Sequence, residues 1–149
     1  MKRLFAAIIS ITLLFWAVAT AAQSARTIES HEDFGDYRVT YTVFNSDFIP
    51  PDVARNYNLV RARDRAFVNI SVTEKGGIKG MSAGVSGTAT NLIQQSRSLP
   101  FQEIRDQDAV YYLAPFRFEN EESLTFNIDL VLPDGSNRQL TFRRQLHKN

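Results

Sequence analysis

The sequence predicts an all-β fold: an immunoglobulin-like two-sheet β-sandwich of about seven strands, preceded by a signal peptide. Three observations carry this. Apolar and polar residues alternate through most of the stretch from Tyr37 to Phe142, clusters of Gly, Pro, Asn and Asp separate the alternating runs, and no long segment repeats with the period of a helix. A barrel satisfies the same pattern, so the choice between sandwich and barrel stays open here.

The elements follow in chain order. Lys2 and Arg3 precede an almost wholly apolar run, Leu4 to Val18, and Ala19-Thr20-Ala21-Ala22 offers the small side chains that a signal peptidase accepts. The run is shorter than the ~20 residues that span a bilayer, which favours a cleavable leader over a retained anchor. No cysteine follows it to carry a lipid. We therefore expect residues 1–22 to be a leader, 23–36 a loose polar arm, and 37–146 one sandwich domain.

Within that domain Tyr37, Val39, Tyr41 and Val43 share one face of a first strand, which Asn45-Ser46-Asp47 ends. Pro50-Pro51-Asp52 opens a short helix, Asp52 to Tyr57. Ala66 to Thr73 is a strand with Val68, Ile70 and Val72 on one face, and the glycines at 76, 77 and 80 predict a hairpin connection after it. Met81 to Leu92 reads as a strand of small residues, in which Gly84 and Gly87 mark a bulge or a close backbone approach. Leu99 to Ile104 is a short strand that Pro100 assigns to an edge. Asp106-Gln107-Asp108 is a turn, and Ala109 to Phe118 presents Val110, Tyr112, Ala114, Phe116 and Phe118 on one face. Leu124 to Leu132 alternates most clearly. Pro133-Asp134-Gly135-Ser136 is strong turn chemistry, and Asn137 to Leu146 closes the domain with Leu140 and Phe142 inward.

Charge and cysteine content bound the function. The chain has 17 basic and 16 acidic residues; without the leader, 15 and 16 remain, a net charge of −1. Such a domain has no bulk electrostatic reason to bind nucleic acid or an anionic membrane. With no cysteine there is no disulfide, which a bacterial periplasm permits and small eukaryotic secreted domains usually contradict.

No catalytic constellation stands out. Gly84-Val85-Ser86-Gly87-Thr88 misses the second glycine of a nucleophile elbow, and the only histidines, His31 and His147, are expected one in each terminal tail. The glycines at 76, 77 and 80 lack the Gly-Lys-Ser/Thr ending and the helix of a phosphate loop. Glu103, Asp106 and Asp108 offer oxygen ligands suited to calcium, but acids in a turn are ordinarily turn formers. No metal and no cofactor is expected.

Two features suit a partner. Arg61, Arg63 and Arg65, if extended, align three guanidinium groups on one face for an anionic partner; the plainer alternative is a charged edge that discourages aggregation, paired with Asp64 or Asp52. Tyr111 should point away from the core-facing Val110 and Tyr112 and offer a large rigid contact, or else merely cover its neighbours.

Four blocks carry a family resemblance: Phe44-Asn45-Ser46, Val68-Asn69-Ile70-Ser71-Val72, Val85-Ser86-Gly87-Thr88-Ala89-Thr90-Asn91-Leu92, and Glu103-Ile104-Arg105 through Ala109-Val110-Tyr111-Tyr112-Leu113-Ala114-Pro115-Phe116. The chain resembles, from about Phe34 to Phe142, a family of short exported proteobacterial proteins classed only as a domain of unknown function. The resemblance implies a Gram-negative source, a periplasmic address and a single β-rich domain, and it brings no activity, cofactor or catalytic residue.

The expected function is a periplasmic, non-enzymatic binding or protein-interaction module. Its partner is expected to be an envelope protein or a small ligand, with no nucleic acid and no stable membrane insertion after leader cleavage. The alternatives are a cryptic enzyme whose carboxylates and tyrosines meet only in the fold, and an accessory of envelope assembly. A deep pocket with buried acids would favour the enzyme; an apolar patch or open edge favours the binding module.

Overall fold

A computed structural model describes residues 29–149; the expected leader, residues 1–22, and the first part of the expected arm lie outside them. Among the described residues, two antiparallel sheets face each other. The strands are β1 (Ser30–Phe34), β2 (Tyr37–Asn45), β3 (Arg65–Glu74), β4 (Gly84–Asn91), β5 (Ser96–Ser98), β6 (Gln102–Asp106), β7 (Ala109–Arg117), β8 (Glu122–Val131) and β9 (Asn137–Leu146), with one 3-10 turn (Ser46–Phe48) and one α-helix, α1 (Pro51–Asn56). The five-stranded sheet runs β1-β2-β3-β7-β6 and the four-stranded sheet β5-β4-β8-β9. The fold is the expected sandwich, with nine strands in place of about seven.

The two extra strands have separate causes. Residues 30–34, expected as part of a loose arm, pair with β2 as an edge strand, from Ser30 opposite Tyr41 to Phe34 opposite Tyr37. Gly35, at φ +61°, supplies the left-handed turn that brings them back, and Arg38 donates two hydrogen bonds to the Asp33 carboxylate at 2.7 and 3.0 Å. Polar residues suit an edge, so composition alone hid the strand. The second cause is Pro100. The strand expected over Leu99 to Ile104 begins only at Gln102, as β6, and an unexpected short strand, β5, precedes it; β5 edges one sheet and β6 edges the other. Between them Leu99 is buried and its N–H reaches the Gly87 carbonyl at 2.9 Å. Pro100, with no N–H to give a ladder, carries the chain from sheet to sheet. The expected edge placement fits β6.

The connection after β3 also differs from expectation. Gly80 forms an isolated antiparallel bridge to Thr73, and the Met81 N–H reaches the Val72 carbonyl at 2.8 Å. The chain then leaves for the other sheet, so this is a one-bridge return and not a hairpin. Gly80 lies so close to β7 that an added Cβ would stand 2.4 Å from the Val110 nitrogen.

The core is built from the inward rows of β2, β3, β4, β7, β8 and β9. Val39, Val68, Ile70, Val72, Ala114, Leu124, Phe126, Ile128 and Leu140 are all buried, as alternation required. Aromatic rings run through it: Tyr41 stacks on Phe142 at 4.4 Å, Phe142 on Phe126 at 5.0 Å, and Phe116 meets Phe126 edge-on at 5.3 Å. Gly87 makes a close approach, since a Cβ there would lie 2.5 Å from the Asn127 carbonyl oxygen.

Candidate functional site

The site begins with a strand that is apolar on both faces. In β7, Val110, Tyr112, Ala114 and Phe116 enter the main core, while Leu113 points the other way and is also buried. A strand of this kind needs cover on its second face. The cover is the segment between β2 and β3. Ile49, Ala54, Phe67 and Leu113 form a second buried cluster, with Phe44, Leu59 and Ile104 packed against it.

Local chemistry fixes this cover. Ser46 is fully buried; its hydroxyl accepts from the Ala62 N–H and donates to the Ala62 carbonyl, both at 2.8 Å, closing the loop at its base. Pro51 starts α1, and Asn58, at φ +55°, ends the helical turn so that the Leu59 N–H reaches the Ala54 carbonyl at 2.8 Å.

Cover and sheet leave an open groove of about 330 Å³ between them. Its floor is Asn69 of β3, Tyr111 and Leu113 of β7 and Ile104 of β6; its wall is Phe48, Ile49, Val53 and Tyr57, with Asp106 at the rim. Phe48 is 54% exposed and Tyr111 39%, so both present apolar surface to the opening. One buried polar atom without a partner interrupts this lining. The Asn69 side-chain oxygen is buried without a hydrogen-bond partner among the described residues, as is the hydroxyl of Thr42, directly opposite it on β2.

Tyr111 thus sits where alternation puts it, on the outer face, and lines the groove. The arginines do not form the expected row. Arg61 lies in the loop and donates to the Asp47 carbonyl at 3.1 Å; Arg63 and Asp64 form a turn; only Arg65 belongs to a strand. The turn at 63–64 breaks the alternation that would have aligned all three. Arg65 instead stands opposite Arg117, and the acid near this end, Asp64, lies 3.6 Å from Arg117.

Glu103 of β6 is tied up locally. The buried Tyr112 hydroxyl donates to Glu103 at 2.8 Å and accepts from the Ala83 N–H at 2.8 Å, while Arg105 meets the same carboxylate at 2.6 Å. The Tyr112 hydrogen bond and Arg105 hold the Glu103 carboxyl below its ordinary range, and burial pushes the Tyr112 hydroxyl up. Among the described residues no three His, Cys, Asp or Glu side chains come together in a way that could hold a metal ion.

Sequence reasoning missed the groove wall and Asn69. The available signal was β7 itself, where Tyr111 and Leu113 interleave with an apolar inner row.

A two-sheet sandwich with a partly covered outer face defines the structural class. The chain matches, over residues 31–149, the family described as Domain of unknown function (DUF4426), and it belongs to that family. A DUF4426 family protein from Pseudomonas aeruginosa, solved by crystallography, is 31% identical, with a TM-score of 0.73 over 81% of this chain and 96% of that one. A copper-bound variant of FetP from uropathogenic Escherichia coli shares the fold at 10% identity and a TM-score of 0.60, covering 80% of this chain and 95% of that one. FetP as isolated after recombinant expression in the periplasm of Escherichia coli gives 9% identity and a TM-score of 0.57, covering 80% and 94%. Comparison with curated proteins gives no match. Among the described residues no helix is long and apolar enough to cross a membrane.

Proposed function

We propose that this protein is a non-enzymatic binding module of the periplasm that takes an apolar side chain of an envelope protein into the groove beside Tyr111. The observation that carries this reading is the groove's composition: apolar walls around one buried, unpartnered amide oxygen, that of Asn69. Binding sites commonly combine an apolar lining with a few convergent polar groups, and about 330 Å³ falls at the small end of their range. Export is supported by the Lys2-Arg3 start, the apolar run and the alanine-rich end of the leader. FetP was expressed in the periplasm and binds copper in one of its structures. At 10% identity that likeness carries the fold alone.

The test uses a fluorescent reporter dye, apolar except for one amide N–H able to donate to the Asn69 oxygen, and two variants. Tyr111→Ser and Asn69→Leu should each weaken dye binding several-fold. Tyr111→Ser should change stability by less than about 0.5 kcal/mol, as for other exposed sites, and Asn69→Leu should be neutral or stabilising, because it removes an unpaired buried acceptor. Undiminished binding by both variants would place the binding surface elsewhere.

A further inference from the structure

The first residue of β3 and the last of β7 are both arginine, and the register sets Arg65 directly opposite Arg117. Like charges in that position destabilise a sheet. A third guanidinium joins them from the other sheet: Arg97 of β5 donates through Nη1 to the Arg117 carbonyl, and its Nη2 lies 3.0 Å from Glu122. β6 has left the edge here, since its pairing with β7 ends at Gln102 opposite Leu113. The gap is a cavity of about 290 Å³ lined by the three arginines, with Pro100, Pro115 and Phe116 as its apolar walls.

The charges do not balance. Asp64 faces Arg117 and Glu122 faces Arg97, but Arg65 has no carboxylate within 4.0 Å and no side-chain hydrogen bond among the described residues. Three cations and two anions leave one positive charge, on the half-buried Arg65 beside apolar walls. A guanidinium offers a planar fork of donors that matches two oxygens of an oxyanion.

We propose that this cavity is an oxyanion site, in which Arg65, supported by Arg97 and Arg117, binds a carboxylate or phosphate group of a ligand. A bound anion would relieve the repulsion between Arg65 and Arg117 and supply the missing charge. The inference stands apart from the Tyr111 groove and does not depend on it.

Nuclear magnetic resonance of the protein expressed from its full coding sequence tests this, at constant ionic strength. Inorganic phosphate and benzoate are titrated separately while the Arg Nε–H signals and the Phe116 and Arg117 amides are followed. At least one anion should shift these signals to saturation, with a Kd on the order of millimolar. Saturation by phosphate assigns a phosphoryl ligand, and saturation by benzoate a carboxylate. Arg65→Gln should weaken binding at least about tenfold, while Arg61→Gln should leave it unchanged. Arg65→Lys, which keeps the charge without the fork, should bind more weakly than wild type and secures the result if the glutamine variant does not fold. Absence of saturation by either anion overturns the proposal, as does wild-type affinity in the Arg65 variants.

Discussion

Tyr112 shows what a single residue contributes here. Its ring belongs to the core, and its hydroxyl joins the 80–83 segment to β6 through Ala83 and Glu103. The inward direction was legible from alternation, whereas the partners were not, because Ala83 is 29 positions away and reaches Tyr112 only through the crossing between sheets. Tyr112→Phe leaves a backbone N–H and a carboxylate oxygen without their partner, so denaturant unfolding should show a loss of about 1–3 kcal/mol. Gly87 was legible in kind, as a close approach, and its neighbour became clear only in the fold. Gly87→Ala presses a methyl group on the Asn127 carbonyl and should cost about 1–3 kcal/mol by the same measurement. Asn69 was hidden in an otherwise regular strand; an outward asparagine ordinarily meets solvent, and only the cover over β7 makes it a groove floor.

At the scale of elements, strands whose inner row is apolar were read correctly: β2, β3, β7, β8 and β9 lie where alternation put them. Elements held by edges and turns were not. β1 is polar because it is an edge, and β5 and β6 are short because the chain changes sheet at Pro100. Neither property leaves a period in the sequence. The arginine row failed for a related reason: alternation needs an extended backbone, and the Arg63-Asp64 turn removes it. What replaces the row, Arg65 with Arg97 and Arg117, joins three strands from two sheets and has no sequence spacing to reveal it.

For the whole molecule, the paired carboxylates set the response to acid. The Arg38 hydrogen bond lowers the Asp33 carboxyl, and Tyr112 and Arg105 lower that of Glu103. A carboxyl lowered on folding contributes stability above its unfolded value and loses it as pH falls through the folded value. Tyr112 acts on the other limb: its raised hydroxyl contributes below the ordinary tyrosine value of 10.0 and loses that contribution as pH climbs through the folded value. Urea unfolding should therefore show a plateau near neutrality with a decline on each side. Glu103→Gln should lie below wild type at neutral pH and converge with it in acid. A constant difference at every pH would mean that the Glu103 charge plays no part.

The proposed function puts partner contact at Tyr111, on the outer face of the five-stranded sheet. It is tested most directly by placing a photo-crosslinking amino acid at position 111 in cells of the native host, with position 141 as the control. Thr141 is exposed on the outer face of the opposite sheet, where its hydroxyl bonds Asn127. Irradiation should give a discrete adduct with an envelope protein from position 111 and none from position 141. Equal labelling at the two positions, or no adduct at 111 when the protein is exported and folded, would contradict the account.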